Sequence, residues 1–90
     1  MKKTVITVVG QDTVGIIAGV CTYLADNKVN ILNISQTIVD GYFNMMMITD
    51  TNNSLQPFDV LAEGLEKVGL EIGVVIKMQH EDIFKSMHRV

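Results

Sequence analysis

Apolar residues recur at two different spacings in the first third of the chain. Residues 3–9 are rich in Val, Ile and Thr and stop at a glycine, which predicts a strand. Residues 16–27 predict a helix, because their apolar positions share one face at helical spacing: Ile16, Ile17, Val20, Cys21 and Leu24. Asp12 or Thr13 is expected to cap this helix with a side-chain oxygen, and Asn27 is expected to close it in the left-handed conformation.

The middle of the chain predicts a β-hairpin. Residues 31–39 and 42–49 read as strands, and the Asp40-Gly41 dipeptide between them favours a two-residue turn. Both faces of the hairpin carry apolar side chains, with Ile34, Ile38, Phe43, Met45 and Met47 on one face and Ile31, Val39, Met46 and Ile48 on the other. A sheet that is apolar on both sides predicts burial on both sides, and dimerisation is the simplest way to achieve it.

The last part of the chain predicts a second helix and a fourth strand. Pro57 suits the first turn of the helix, whose apolar stripe is formed by Phe58, Leu61, Leu65 and Val68. Gly69 is expected to end the helix, and residues 70–78, in which apolar and polar positions alternate, predict the strand. In the tail, Ile83, Phe84 and Met87 fall on one side of a short helix, which we expect to dock on the domain or on a partner subunit.

The order strand, helix, strand, strand, helix, strand defines the fold class. It predicts an α+β, ferredoxin-like βαββαβ fold. Right-handed crossovers place both helices on one face of a four-stranded antiparallel sheet. The domain is expected to span residues 1–80, followed by a C-terminal tail at residues 81–90.

The composition limits the possible binding partners of the chain and its cellular compartment. The 90 residues make one small domain with a formal net charge of -3, and an acidic surface disfavours nucleic acid as a partner. With one cysteine, no intrachain disulfide forms, which fits a reducing compartment. No apolar stretch approaches a membrane span of about 20 residues, and the N-terminal run is too short for a secretion signal. We therefore expect a cytoplasmic protein without a membrane partner.

The reactive side chains do not form a catalytic pattern. His80 and His88 both lie near the C-terminus, away from any predicted nucleophile. His80, Glu81, Asp82 and His88 match no strong metal-ligand spacing, and a solvated charged tail is the better interpretation. Cys21 belongs to the apolar stripe of the first helix and is expected in the core. We expect no enzymatic activity, no metal and no cofactor.

The loop at residues 10–15 is the segment with functional character. It leads from a strand into a helix N-terminus, where free amides and the helix dipole favour a carboxylate or a phosphate. Gly15 at the start of a helix costs stability relative to Ala, and close approach by a ligand or another backbone is one reason to accept that cost. A tight turn with a glycine for packing is an equally good interpretation of these residues alone.

These residues carry a resemblance to a known family. The run Gly-Gln-Asp-Thr-Val-Gly-Ile-Ile at residues 10–17, then Leu24-Ala25, then Val-Asn-Ile-Leu at residues 29–32, resembles the ACT domain signature. Residues 30–37, with Gly41 and the Phe-Asn-Met at residues 43–45, are similar to one subgroup. That subgroup contains glycine-cleavage regulators, the N-terminal domain of formyltetrahydrofolate deformylases and single-ACT bacterial proteins.

The resemblance implies a site between two copies of the chain. ACT domains typically bind amino acids there, through the loop before the first helix and the Asn that opens the second strand. The implied ligand-binding residues are Asp12, Thr13, Val14, Gly15, Ile16 and Asn30. Val14 replaces a common proline, and Lys28 replaces a common glycine. Gly10 replaces the histidine of the serine-sensing type, so the resemblance does not support serine as the ligand.

Two functional hypotheses follow. In the first, the chain is a homodimeric metabolic sensor that binds an amino-acid-type small molecule and regulates a separate target protein. In the second, it is a protein–protein interaction module that has kept the fold and lost the ligand. Ligand stabilisation that disappears on Asp12→Ala or Asn30→Ala favours the first hypothesis, whereas copurification with one specific protein without a ligand response favours the second.

Overall fold

The residues that the structure describes form four strands and two helices, which follow one another in the predicted order. The computed structural model of the protein describes residues 2–11 and 13–82. In chain order the elements are β1 (Lys3–Gln11), α1 (Ile16–Asp26), β2 (Asn30–Val39), β3 (Tyr42–Asp50), α2 (Phe58–Ile72) and β4 (Val74–His80). Within this described part, neither helix is long and apolar enough to cross a membrane.

The strands form one antiparallel sheet in the order β2-β3-β1-β4. This arrangement confirms the ferredoxin-like fold class. The sheet therefore has two edge strands, β2 and β4, and its centre is formed by β3 and β1.

Residues that pair across the strands define the two faces of the sheet. Val8 pairs with Met45 and Ile76, and all three side chains are buried beneath the helices. We call this side the helix face. Val9 pairs with Asn44 and Val75, whose side chains are exposed on the opposite side, which we call the open face.

One apolar core lies between the helix face and the helices. Its fully buried members are Ile6, Val8, Val20, Leu24, Met47, Leu61 and Leu65. Burying side chains of this size stabilises a fold by about 1.5–3 kcal/mol each. Cys21 was expected in the core; it packs against this core but is only partly buried.

The hairpin turn has the predicted chemistry. Asp40 and Gly41 both have positive φ angles, 51° and 80°, between β2 and β3. Two positive φ angles in a row match the turn that follows the right-handed strand twist, and Asp and Gly tolerate them best. The prediction of a tight Asp-Gly hairpin is confirmed.

The observed end of α2 differs from the predicted end. The helix continues through Gly69 to Ile72 and ends at Gly73, which has a φ of 95°. Gly73 takes the left-handed conformation that commonly closes a helix. The expectation that Gly69 ends the helix was wrong, and residues 70–72 are helical rather than extended. Pro57 lies one residue before the helix, as its N-cap.

The close of α1 also differs from expectation. Asn27 has a φ of -101°, and it is Lys28 that adopts a left-handed φ of 58°. The Lys28 amide donates to the carbonyl of Ala25 at 3.1 Å, and the Val29 amide donates to the carbonyl of Leu24 at 2.9 Å. This is the hydrogen-bond pair of a Schellman motif. A lysine therefore occupies the backbone conformation that favours glycine.

A β-bulge changes the face on which Ile31 lies. Ile31 pairs with Thr49 and Asn33 pairs with Ile48, so Leu32 is the extra residue of β2. Thr49 is buried on the helix face, and its partner Ile31 lies there too. The expectation that Ile31 shares a face with Met46 and Ile48 was wrong, because the bulge shifts the alternation by one residue.

A buried pair of threonines lies at one end of the core, and it gives a first prediction. The hydroxyl oxygens of Thr4 and Thr49 are 2.5 Å apart, and both residues have no exposed surface. Thr49→Val leaves the Thr4 hydroxyl buried without its partner, so we expect the free energy of unfolding to fall by about 1–2 kcal/mol. Urea denaturation measures this change.

The matched control removes both hydroxyls. In the Thr4→Val/Thr49→Val double variant no polar side chain of the pair remains, and the stability should return to within about 0.5 kcal/mol of the wild type. A double variant as unstable as the sum of the two single variants would show that the hydroxyl pair is not the source of the effect.

Candidate functional site

The loop before α1 ends at a glycine in a left-handed conformation. Gly15 is the N-cap of α1, with φ 92° and ψ 0°, and as a glycine it makes no side-chain capping hydrogen bond. Thr13 lies in the loop and is not the N-cap residue, and Asp12 lies outside the described residues, so capping by Asp12 stays a prediction. A residue with a Cβ would be strained at this φ, which glycine adopts readily.

The start of α1 presents backbone donors that the helix itself does not use. The first helical hydrogen bond runs from the Gly19 amide to the Gly15 carbonyl at 2.9 Å, so the amides of residues 16–18 have no acceptor within the helix. No acidic residue lies in the first turn to use them. Together with the helix dipole, these donors favour a negatively charged group such as a carboxylate.

The side chains around these amides are apolar and differ in exposure. Val14 is 99% exposed, and Ile17 is 40% exposed on the first turn of the helix. Ile16 is buried in the core, so it contributes its amide to this surface and not its side chain.

Gly10 has no room for a side chain on its own side of the sheet. A Cβ at this position would lie 2.7 Å from Cγ1 of Val74 and 3.1 Å from its Cα. Gly10 pairs with Val74 of β4, so the close approach comes from the neighbouring strand. The histidine that the serine-sensing type carries at this position would not fit here without movement of β4.

Asn30 lies at the other end of the sheet from the loop. It pairs with Asp50, which pairs with Lys3 at the beginning of β1, whereas the loop follows Gln11 at the end of β1. Lys3 and Gln11 are about 27 Å apart at the rise of an antiparallel strand. Within one chain, the structure does not bring Asn30 together with residues 13–16.

The Tyr23 side chain links the two helices. Burial raises the pKa of the Tyr23 phenol, which stays neutral and donates to the Leu61 carbonyl at 3.5 Å across the helix pair. Among residues 2–11 and 13–82, no three His, Cys, Asp or Glu side chains converge on a position that could hold a metal ion. His88 of the sequence-based set lies outside the described residues.

The β2 edge is a candidate interface that the sequence reasoning missed. All ten residues of Asn30–Val39 are uncharged, and nine of them are exposed. The other edge strand, β4, carries Lys77 in its middle, and a charged side chain on an edge strand discourages pairing with another chain. The signal in the sequence was the absence of Asp, Glu, Lys and Arg from the whole of this strand.

The order of the strands and the two helices defines a small ferredoxin-like α+β domain. The family model of the ACT domain matches residues 4–63. The chain therefore belongs to the ACT domain family, which is generally a ligand-binding regulatory module. The resemblance found in the sequence is confirmed.

Similar proteins and solved structures support this assignment. A UPF0237 protein of Bifidobacterium longum is 60% identical over 90 residues, which is the whole of both chains. An ACT domain protein from Streptococcus pneumoniae superposes with a TM-score of 0.81 at 41% identity, covering 92% of this chain and 93% of that chain. A formyltetrahydrofolate deformylase from Pseudomonas syringae also superposes at 0.81, but at 21% identity and over 28% of its length, so this likeness shows the fold alone.

Proposed function

We propose that this chain is a homodimeric metabolic sensor that binds an amino-acid-type ligand between its two copies. The observation that carries the proposal is the separation of the family's two ligand-contacting segments. Residues 13–16 and Asn30 lie at opposite ends of one sheet, so a single chain has only half of the site at each end.

A second copy completes the site if the two β2 strands pair. Antiparallel pairing around a two-fold axis places the beginning of one β2 beside the end of the other. Asn30 of the partner subunit then comes to the end of the sheet where the first chain has its loop. The uncharged, exposed β2 edge supports this mode of pairing over pairing through β4.

The roles of the site residues follow from their chemistry. The amides at the start of α1 hold the ligand carboxylate, with Gly15 allowing close approach and Val14 and Ile16 supplying backbone donors. The Asn30 carboxamide and the Asp12 carboxylate take the ammonium group. Asp12 enters this proposal from the sequence, since it lies outside the described residues.

The chain acts on a separate target and catalyses nothing itself. Among the described residues around the loop, Val14 and Ile17 expose apolar side chains and the start of α1 presents backbone donors, which suits binding of a small molecule. We place the chain in the cytoplasm. The reducing conditions there suit the free thiol of Cys21, and small metabolites are available there as ligands.

A thermal-shift screen against the proteinogenic amino acids tests the function. Ligand at about 100 times its Kd stabilises a protein by about 2.7 kcal/mol, which for a domain of this size raises the unfolding midpoint by roughly 10–20 °C. We expect one compound or one chemical class to give this shift, and we expect Asn30→Ala to abolish it.

Asn33→Ala is the matched control for Asn30→Ala. It makes the same substitution in the same strand, three positions along and beyond the bulge. It should keep the ligand shift. A shift that survives in Asn30→Ala would place the ligand elsewhere, and a flat response to every amino acid at millimolar concentration would reject the sensor.

The interaction module remains the second candidate, and one observation favours it. The open face carries exposed apolar side chains at Val9, Met46 and Val75, beside a depression of about 260 Å³. An exposed apolar patch commonly marks a protein interface. One specific copurifying protein, lost on Val9→Lys, together with a flat ligand screen would support this function.

A further inference from the structure

Apolar side chains lie uncovered along the β2 side of the helix face. Ile34 pairs with the buried Met47, and Ile38 pairs with the buried Phe43. Directly paired residues share a face of the sheet, so both isoleucines lie on the helix face. Even so, Ile34 is 42% exposed and Ile38 is 55% exposed. The two helices therefore cover the centre of this face and leave its β2 side open to solvent.

α1 contributes Ile17 to the same surface. Gly19 marks the side of α1 that faces α2, because it lies against Ile72. Tyr23 marks the same side, since its hydroxyl donates to the carbonyl of Leu61. Ile17 is about 200° around the helix from Gly19, so it lies on the side away from α2. α2 packs against β4 at one edge of the sheet, so this side of α1 faces the β2 edge. We call Ile17, Ile34 and Ile38 the apolar strip.

The apolar strip reaches the backbone donors at the start of α1. Ile17 supplies one of the amides that have no acceptor within the helix, and its side chain is 40% exposed on the same turn. Ile38 lies at this end of the sheet, because its partner Phe43 pairs with Gly10, one residue before β1 ends. Donors for a negatively charged group and an uncovered apolar surface therefore adjoin at one end of the molecule.

We propose, building on the proposed function, that the ligand is an amino acid with an apolar side chain and that the apolar strip receives this side chain. A carboxylate held by the amides of residues 16–18 brings the ligand's Cα substituent to the first turn of α1. Ile17 is exposed on that turn, and Ile38 lies at the same end of the sheet. Contact between two apolar surfaces is favourable because both leave water.

The segments that carry the apolar strip offer no charge to a charged ligand side chain. Residues 13–25 and 30–39 contain no Asp, Glu, Lys, Arg or His. A charged group that loses its water without meeting an opposite charge costs much free energy. Acidic and basic amino acids therefore fit this surface poorly, and an apolar side chain fits it without such a cost.

Calorimetric titration of the full-length protein with isosteric pairs of amino acids tests the ligand class. The pairs are valine with threonine, leucine with asparagine, and phenylalanine with tyrosine. In the pair that binds best, we expect the Kd of the apolar member to be about 10–100-fold below that of its polar isostere.

The possible outcomes separate this inference from the sensor function. If the polar member bound as tightly or more tightly, for example through the amide of Gln36 between Ile34 and Ile38, the apolar class would be wrong and the sensor would stand. The same holds if an acidic or basic amino acid bound best. No binding by any amino acid would reject both.

Ile17→Thr tests the contact with the ligand side chain. It keeps a β-branched side chain and adds a hydroxyl that can bond to a polar ligand, so the ratio of the two Kd values should fall to about 1–3. Val60→Thr is the matched control, because Val60 is 43% exposed in the first turn of α2, which follows β3 at the opposite end of the sheet. This control should keep the wild-type ratio. If Ile17→Thr weakened both amino acids equally, Ile17 would not contact the ligand side chain, and the proposal would be overturned.

Discussion

Gly69→Ala should destabilise the protein by about 2 kcal/mol, although alanine is the better helix former. Gly69 lies inside α2 where the helix crosses β4. A Cβ at this position would lie 2.6 Å from the carbonyl oxygen of Val74 and 3.2 Å from Cγ1 of Ile76. The Val74 oxygen belongs to the backbone of the strand, one residue after the turn at Gly73, so it cannot rotate away. We expect the unfolding midpoint to fall by roughly 8–16 °C.

Gly19→Ala is the matched control, because it also replaces a glycine in a helix interior. A Cβ there would lie 2.7 Å from Cδ1 of Ile72, the flexible end of a side chain. That methyl group can move to another rotamer, so the gain of up to about 1 kcal/mol in helix propensity is retained. Thermal denaturation should show an unchanged or slightly raised midpoint for Gly19→Ala. If both variants behaved alike, the close approach of α2 to β4 would not be the reason for Gly69.

The same glycine explains why the end of α2 could not be predicted from the sequence. Gly69 and Gly73 are both suitable residues to end a helix, and the alternation of residues 70–78 allows either choice. The decision comes from packing, since Gly69 is needed where the helix touches β4 and Gly73 is needed where φ is 95°. Local sequence holds no information about which contact each glycine makes.

Features decided by local chemistry were predictable. The Asp40-Gly41 turn follows from the two residues themselves, and so does the hairpin that fixes β2 against β3. The bulge at Leu32 was not predictable, because an extra residue in a strand is defined by its partner strand. It transferred Ile31 to the helix face and left Val39, Met46 and Ile48 on the open face.

In the candidate site too, local features were predictable from the sequence and features set by distant parts of the chain were not. The loop before α1 and the start of that helix are local features, and the sequence identified them, although it placed Gly10 and Gln11 in the loop and they belong to β1. The sequence did not identify the N-cap residue, which is Gly15 and lies two residues after Thr13. The separation of Asn30 from the loop follows from the strand order. β3 lies between β2 and β1, and the beginnings of β2 and β1 are at the same end of the sheet, whereas the loop follows the end of β1. The two halves of the predicted site therefore meet only if two chains pair, and the mode of pairing does not follow from the sequence of one chain.

Ile34→Lys should convert the dimer into monomers. Ile34 lies near the middle of β2 and is 42% exposed. If two β2 strands pair around a two-fold axis, residues near the middle of one strand face their own counterparts, and two lysines there repel each other. Light scattering at micromolar concentration should give about 20 kDa for the wild type, twice the chain mass of 10.0 kDa, and about 10 kDa for the variant. The variant should also lose the ligand shift, because its sites lack the partner's Asn30.

Val75→Lys distinguishes pairing through β2 from pairing through the open face or through β4. Val75 is an exposed apolar residue on the other edge strand, β4, and lies on the open face. The same change of apolar side chain to lysine should leave the dimer intact, since β4 already carries Lys77 at its edge. If Val75→Lys dissociates the dimer and Ile34→Lys does not, the two chains meet through the open face or through β4, and the Asn30 of each chain stays far from the loop of the other. A wild-type protein that runs at 10 kDa would remove the completed site altogether and leave the chain as an interaction module with a free β2 edge.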